Sequence, residues 1–337
     1  MRSEWQKFLQ TPGGPLQIQS VGFLQQTNPP LEEMTVCCDL SQWGIVLVTG
    51  SDAKSFLHSQ FTNDVAGLAP GFSQLNGYCT AKGRILAIFR LFAHEMGYDL
   101  ILPNSIIPSL IKRLNLFKLR SQVTFSDQID HCVQIGILGQ TAATVLATAL
   151  MSETPGLNQV KILDTVTLLA IPGPIPRFQV IAPYPQMQAL WQQLQALSVT
   201  AVDSGYWALQ DIRAGIPTVH PATQEAFVPQ MVNLELVNGV SFTKGCYPGQ
   251  EIVARMHYLG QAKRRLFRGQ LTTSQPPVIG AELFAEAQSV GQMTEAQAIG
   301  ESEYEIAFVA PINAASTPLT LGLQGPVITV LPLPYDL

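Results

Sequence analysis

The sequence predicts an α+β protein whose C-terminal part is a separate all-β domain. Within the first 200 residues, a strand followed by a Gly, Pro or Ser turn and a helix occurs four times. Further strands lie between these units, and two units with such strands make one ferredoxin-like half. From about residue 262, short apolar runs alternate with Pro and Gly breaks without a helical period, which predicts a small barrel or sandwich.

The elements follow in chain order. Residues 1–34 are rich in Gln, Pro and Gly, which predicts an irregular leader. The four strand-helix units are 43–49 with 53–61, 98–102 with 106–116, 133–138 with 142–150, and 178–182 with 186–197. The extra strands are 83–92 and 166–171, and the short runs of the tail are 266–271, 304–309 and 327–331. These patterns predict domain limits of 1–34, 35–260 and 261–337.

The composition excludes several classes of protein. The 337 residues are 47% hydrophobic and 13% charged, enough apolar material for two or three domain cores. A net charge of −5 excludes a polycation that coats nucleic acid. No apolar run reaches the roughly 18–20 residues of a spanning helix, and the first residues do not resemble a signal peptide. Five scattered cysteines without a CxxC motif favour a reducing compartment, so we expect a cytoplasmic protein without membrane contact.

The segment Lys244-Gly-Cys246-Tyr-Pro-Gly-Gln-Glu251 is the densest special segment of the chain. Two glycines and a proline around a cysteine predict a tight turn. A cation as close as Lys244 lowers the pKa of a thiol, so Cys246 is a candidate nucleophile, redox thiol or single metal ligand. The alternative is a small apolar side chain packed in a turn.

Motifs for other chemistries are missing from the sequence. It contains no phosphate-binding GxxxxGK[ST], no GxGxxG that opens a helix and no nucleophile elbow. Its five histidines show no HxH or HExxH spacing, so we expect no stable metal site in this chain.

Basic residues concentrate in two short stretches that hold nine of the 19 Lys and Arg residues. Such a patch can contact phosphates, although a solvated face or pairing with carboxylates across a domain junction explains it equally well. The stretches comprise Lys112, Arg113, Lys118 and Arg120, and then Arg255, Lys263, Arg264, Arg265 and Arg268 with His257 nearby.

The octet at 244–251 resembles the K-G-C-Y-x-G-Q-E signature of the YgfZ family, folate-binding factors for tRNA modification and iron-sulfur assembly that are related to the T-protein of glycine cleavage. The segments 61–65, 77–84, 227–234 and 333–337 resemble family segments in the same order. The resemblance covers the chain from about Asp39 to its end. It implies a ring of three domains, namely two intertwined ferredoxin-like domains in 35–260 and a C-terminal β-barrel, with tetrahydrofolate or a folate derivative in the central cavity.

The resemblance also implies site residues. Trp43 and Trp207, which are core residues by their pattern alone, match two tryptophans that line the family's folate site. The implied folate contacts are Trp43, Trp207, Arg213, Tyr247, Gln250 and Glu251, and the implied functional residues are Cys246 and Lys244.

Two departures from the T-protein pattern bear on activity. Leu86 and Ala87 stand where the T-protein has acidic residues, one of them catalytic, and Arg213 stands where it has a folate-binding glutamate. Loss of the carboxylate removes general acid-base or electrostatic help. We therefore expect a folate-binding protein that has lost aminomethyl transfer.

The sequence supports one main hypothesis on function and two alternatives. The chain is expected to be an accessory factor for iron-sulfur proteins, including radical enzymes that thiolate tRNA, with Cys246 ligating iron or exchanging with a partner thiol. A rival is a tetrahydrofolate-dependent one-carbon transferase or demethylase, for which Asp64, Glu235 and Glu251 are candidate acids or bases. Another is a binding module that holds tRNA or an acidic partner through its basic segment. The residues expected to contact tRNA are Lys263, Arg264, Arg265 and Arg268.

Overall fold

A computed structural model describes residues 2–10, 34–260, 262–313 and 317–337. These residues form two units that each contain helices and a sheet, and a C-terminal barrel. The strands of the second unit come from both before and after the first unit in the chain. The helices are α1 (Arg2–Gln10), α2 (Ala53–Gln60), α3 (Ile107–Phe117), α4 (Ala142–Leu150), α5 (Tyr184–Ala196), α6 (Gly205–Ala214) and α7 (Gln250–Leu259).

The first unit is a five-stranded antiparallel sheet in the order β3-β4-β5-β2-β6. Helices α2 and α3 share a core with one face of this sheet, because their apolar residues recur at helical spacing and the strands alternate. The strands are β2 (Trp43–Thr49), β3 (Ser73–Cys79), β4 (Ile85–His94), β5 (Gly97–Pro103) and β6 (Thr124–Asp127).

The second unit is a six-stranded sheet in the order β11-β1-β7-β10-β9-β8. Its strand β1 precedes the whole first unit in the chain, pairs in parallel with β11 and pairs antiparallel with β7. The two units are therefore intertwined. The strands are β1 (Val36–Asp39), β7 (Val133–Leu138), β8 (Val160–Leu163), β9 (Val166–Ile171), β10 (Arg177–Ala182) and β11 (Thr200–Val202).

The C-terminal unit is a closed barrel in the order β12-β15-β14-β13-β16-β17, with β12 also paired to β17. Closure leaves no unpaired sheet edge. A core that includes Phe267, Phe308 and Ile328 fills its interior. The strands are β12 (Arg264–Thr272), β13 (Glu282–Ala285), β14 (Gln288–Ala298), β15 (Glu303–Pro311), β16 (Leu319–Leu321) and β17 (Val327–Leu331).

A separate apolar core lies between the two sheets. Ile45 and Ile101 of the first sheet pack there with Ile181 of the second. Tyr206 and Trp207 of α6 belong to the same core. This core places α6 at the junction of the two units.

The predicted α+β class and the C-terminal barrel are confirmed, and each of the four predicted strand-helix units is present to within about two residues at each end. The prediction of an irregular leader is wrong for residues 2–10. Arg2–Gln10 form α1, and the side chain of Trp5 is fully buried. The rest of the predicted leader, up to residue 33, lies outside the described residues.

Trp5 attaches α1 to the second unit. Its ring meets Trp191 of α5 edge to face at 5.3 Å, a favourable arrangement for aromatic pairs. Its Nε1 donates to Asp39 Oδ1 at 2.8 Å, at the end of β1. The sequence pattern missed this helix because its stabilising partners lie far along the chain.

Trp5→Ala should lower the free energy of unfolding by about 3 kcal/mol or more, since it removes a fully buried ring and leaves a cavity. Urea unfolding followed by circular dichroism measures the change. The matched control is Gln6→Ala, which alters an exposed position of the same helix. Equal unfolding of the two variants would contradict the packing described for α1.

Candidate functional site

A cavity of about 770 Å³ lies where the two mixed units and the barrel meet. Its walls come from the start of β2, the start of α6 and the barrel strands β14 and β15. On its wall, His220 Nε2 lies 2.7 Å from Glu295 Oε2. A concave site of this volume is typical of those that take a ligand of drug size.

A narrower cavity of about 40 Å³ adjoins the large one and brings the two predicted tryptophans together. Trp43, the first residue of β2, is half-buried and lines both cavities. Trp207 lines the narrow cavity and is only 3% exposed. Its ring lies against the backbone of Gly136, where a Cβ atom would come within 2.4 Å of the ring. The Trp207 side chain is therefore held in place in the cavity wall, and the Trp43 side chain is the more accessible of the two.

Asp211 is a site residue that the sequence reasoning missed. It follows Trp207 by one helical turn, so both lie on the same face of α6, and it lines both cavities. Arg177 Nη2 donates to Asp211 Oδ1 at 2.7 Å, and the Arg177 guanidinium lies 4.9 Å from the Trp207 ring centre. Burial raises the pKa of Asp211, and Arg177 opposes that shift. In the sequence, the spacing of four residues between Trp207 and Asp211 is the pattern that could have indicated a shared helix face.

Arg90 is a second buried cation at this junction, and it lines the narrow cavity. Its Nη1 donates to Ser73 Oγ and Asn158 Oδ1, each at 3.0 Å. Burial lowers its pKa to about 10, so it remains charged at neutral pH. A third cavity of about 400 Å³ also has Arg90 in its wall. The centre of the junction therefore holds buried groups of both signs beside the tryptophans.

The octet at 244–251 forms a loop on the first unit. Lys244 is buried, and its Nζ donates to the carbonyl oxygens of Phe61 at 2.6 Å, Asn63 at 3.2 Å and His58. Three bonds use all the N–H donors of an ammonium group. Burial lowers the pKa of Lys244 to about 8, with Asp64 opposing the shift. The lysine therefore anchors the loop to the end of α2, and its effect on the thiol pKa stays a prediction.

Glycine is required where this loop meets the turn after β3. Gly249 has φ of +81°, and a Cβ atom there would lie 2.5 Å from Thr80 O and 2.7 Å from Gly83 N. No other residue fits such a backbone contact without strain. The contact explains why the segments 77–84 and 244–251, both singled out in the sequence, occur together in one fold.

Cys246 is the exposed member of the five cysteines, all of which are described. Burial raises the pKa of Cys79 and Cys132 to about 12, so those thiols stay protonated at neutral pH. The residue before Cys246 lies beside His58, since a Cβ atom on Gly245 would be 3.7 Å from His58 Nε2. The 244–251 segment contains no histidine, and the histidine nearest to Gly245 comes from α2.

The predicted site residues therefore occupy two places. Trp43 and Trp207 line the cavities, whereas none of the octet residues appears among the cavity residues described above. Tyr247 is buried, Gln250 is half-buried, and Glu251 is exposed at the start of α7. The folate contacts implied for the octet stay predictions.

Arg213 has a structural partner. Its Nη2 and Nε donate to Glu305 Oε1 of β15 at 2.7 and 3.0 Å, which links α6 to the barrel. It does not appear among the residues that line the cavities described above. Its implied folate contact stays a prediction, and Asp211 is the α6 side chain that reaches both the large and the narrow cavity.

The basic segment of β12 is partly used within the protein. Arg265 Nη1 donates to Glu235 Oε1 at 2.5 Å, and Arg268 Nε lies 3.2 Å from Glu305 Oε2. This is the pairing across a junction that the sequence left open as an alternative. The tRNA contact expected for this segment stays a prediction, and the two residues of the set that remain exposed are Lys263 and Arg264.

Within the described ranges, no group of three or more His, Cys, Asp or Glu side chains is placed to hold a metal ion. In the same part of the chain, no helix has both the length and the apolar character that crossing a membrane requires. The candidate site thus consists of the cavities at the junction and the exposed thiol loop.

Comparison with known proteins gives close relatives and a shared fold. The chain is 35% identical over 245 residues to tRNA-modifying protein YgfZ of Yersinia pseudotuberculosis, covering 72% of this chain and 73% of that protein. It is 31% identical over 233 residues to the protein of the same name from Colwellia psychrerythraea, covering 69% and 71%. The aminomethyltransferase T of the glycine cleavage system from Bartonella henselae superposes with a TM-score of 0.77 at 18% identity, over 96% of this chain and 92% of that one, which shows a common fold. No family model matches the chain.

Lys244→Met should lower the free energy of unfolding by about 2 to 3 kcal/mol, because three buried carbonyl groups lose a charged donor. Urea unfolding measures the change. Lys82→Met is the matched control, since it removes an exposed lysine from the turn that contacts the same loop. If the two variants unfold alike, Lys244 does not anchor the loop.

Proposed function

The chain belongs to the YgfZ family, and we propose that it is a tetrahydrofolate-binding accessory factor that acts in tRNA modification through the assembly or repair of iron-sulfur proteins in the cytoplasm. Its relatives in Yersinia pseudotuberculosis and Colwellia psychrerythraea are named tRNA-modifying proteins and are 35% and 31% identical over 72% and 69% of this chain. The observation that carries the folate part is the pair of adjoining cavities lined by Trp43, Trp207 and Asp211.

The large cavity suits folate in size and in chemistry. Its volume of about 770 Å³ falls in the range of sites for ligands of this size. The pterin of folate is a flat ring with neighbouring N–H donors. Trp43 offers an aromatic surface for such a ring, and the second carboxylate oxygen of Asp211 is an acceptor for such donors. Folate bound here would supply one-carbon chemistry at its N5 and N10 atoms.

The surrounding residues hold this arrangement in place before a ligand arrives. Arg177 fixes one carboxylate oxygen of Asp211 and stacks on Trp207. Arg177 is 1% exposed, so its side chain is held by packing on all sides. A site that is formed in advance loses little ordering entropy when a ligand binds.

The proposal places this chain outside the aminomethyl-transfer reaction. Leu86 and Ala87 of β4 occupy the positions where the resemblance leads us to expect acidic residues, and Ala87 is buried. An apolar pair at this point supplies neither a proton nor a negative charge. The shared fold with aminomethyltransferase T therefore supports a binding role for folate.

Cys246 is the functional thiol in this proposal. Its exposure allows a partner protein to reach it, whereas the other four cysteines are buried or half-buried. On deprotonation its sulfur becomes a ligand for iron, so that the thiol proton leaves and a sulfur lone pair binds the metal. Iron or an iron-sulfur cluster is then cargo that passes between this chain and a client, including radical enzymes that thiolate tRNA.

A second candidate function is a tetrahydrofolate-dependent one-carbon transfer or demethylation. Asp211 favours it, because burial raises the pKa of a carboxyl group that lines the cavity. Glu235 and Glu251 are less suited as the acid or base of this reaction. Glu235 pairs with Arg265, and Glu251 does not line the three cavities at the junction. Steady turnover of a methylamine donor by the purified protein with tetrahydrofolate would favour this second function.

Trp43→Ala should weaken tetrahydrofolate binding by about 5- to 150-fold, because stacking of a flat heterocycle on an aromatic ring contributes about 1–3 kcal/mol. Trp207→Phe should weaken it less, since that ring forms a buried wall. Isothermal titration calorimetry measures both. Trp191→Phe is the control for loss of a tryptophan in a different core. Wild-type affinity in both cavity variants would remove the folate assignment.

Cys246→Ala should abolish complementation of a bacterial strain that lacks its own homologue, read out as loss of thiolated tRNA. The position is exposed, so folding stability should change by less than about 0.5 kcal/mol. Cys132→Ala, at a half-buried cysteine, should complement fully. Full complementation by Cys246→Ala would show that the thiol is not functional.

A further inference from the structure

A cavity of about 280 Å³ lies away from the junction, beside α3. Its wall carries the cations of Lys112 and Arg113 and the hydroxyl groups of Tyr78 and Ser109. Its remaining polar members are the amide of Gln224 and the carboxylate of Glu225, and Glu225 is exposed. Two cations against one solvated carboxylate leave the cavity with an excess of positive charge and of hydrogen-bond donors.

One hydrogen-bond donor of Arg113 lacks an acceptor in this cavity. Its Nε atom is buried and donates to no other atom of the described residues. Its guanidinium lies 5.5 Å from the ring centre of Phe117, one turn further along α3. A buried unpaired donor in a native fold commonly marks a group that a bound ion, water or partner satisfies.

The cations continue beyond the cavity. Lys118 and Arg120 follow α3 directly, and Arg120 is exposed. Among the described side chains, no carboxylate lies within 4.0 Å of any of these four basic groups. Residues 43–127, from the start of β2 to the end of β6, contain eight Lys and Arg against five Asp and Glu, although the whole chain has a net charge of −5. The first unit is thus positive within a negative protein.

Exposed apolar side chains lie among these cations. Leu116 is 67% exposed, Phe117 49% and Leu119 86%. A cationic surface with an exposed aromatic ring is the combination that nucleic acids bind, with phosphates on the cations and an unpaired base on the ring. In β12, by contrast, Arg265 and Arg268 already pair with carboxylates.

We propose that the surface formed by Lys112, Arg113, Phe117, Lys118 and Arg120 binds RNA, with a backbone phosphate in the cavity beside α3. The proposal rests on the proposed role in tRNA modification, from which tRNA follows as the RNA. The cavity accounts for one phosphate, and the cations beyond it account for further phosphates along the strand. A small anion would need only the cavity, and the continued row of cations therefore favours a polymer.

The test compares two double variants with the same change in charge at exposed positions. Lys112→Gln with Arg120→Gln alters the α3 surface, and Lys263→Gln with Arg264→Gln alters β12. Fluorescence anisotropy with labelled tRNA at 50 mM salt gives the affinities. We expect the α3 variant to bind at least tenfold more weakly and the β12 variant to change less than twofold. The negative slope of log affinity against log salt concentration should become shallower by about 1.5 to 2 for the α3 variant.

Further measurements make the outcome decisive. Equal losses in both variants, a loss confined to the β12 variant, or undetectable tRNA binding by the wild type would each overturn the proposal. Binding of the wild type to phosphatidylglycerol vesicles but not to tRNA would assign the surface to lipid and overturn it as well. Inorganic phosphate should compete only at millimolar concentrations. Folate titration and complementation by Cys246 variants are independent readouts, so they show whether the proposed function fails or only this surface.

Discussion

Strand β1 (Val36–Asp39) is inserted between β11 and β7 of the second sheet, and four residues after it ends Trp43 begins β2 of the first sheet. Hydrogen bonds fix the short connection, since Trp43 N donates to Leu40 O at 2.8 Å and Gln134 Nε2 donates to Trp43 O at 3.0 Å. A chain of so few residues cannot span more than about 3.6 Å per residue. The two sheets must therefore meet at this point. Trp43 lies at the junction cavity because the chain connection leaves it no other place.

Buried ion pairs hold the barrel and α6 in register at the same junction. Arg213 Nη2 of α6 donates to Glu305 Oε1 of β15 at 2.7 Å, and Arg268 Nε of β12 lies 3.2 Å from Glu305 Oε2. Within the second unit, Arg177 and Asp211 form a pair of the same kind. A buried pair adds little net stability compared with an apolar pair, but removal of one partner costs about 3–5 kcal/mol. The few charged residues of this chain thus serve to fix which surfaces meet, while apolar packing supplies the stability.

The sequence predicted local patterns well and distant contacts poorly. The strands and helices of the four repeated units follow from periodicity, which depends only on neighbouring residues. The helix at Arg2–Gln10 was missed because its sequence is polar, and Trp5 gains its burial from Trp191, far along the chain. The octet resemblance indicated Cys246, and the two tryptophans were matched by position. That these features lie in separate places, and that His58 lies beside the thiol loop, depends on how the units pack. This packing cannot be predicted from the spacing of residues in the sequence.

The inserted strand also governs the order in which the chain can fold during synthesis. Val36 pairs with Leu138 and with Thr200, so β1 leaves the ribosome about 100 and about 160 residues before its two neighbours. At rates of synthesis of about 5–20 residues per second, the second delay is roughly 10 to 30 s. Throughout it, an apolar strand with two adjacent cysteines has both edges unpaired, the condition that favours pairing with another chain. The sheet of the first unit is synthesised in full before the second sheet can close, and nascent chains of this protein are expected to depend on chaperones during that interval.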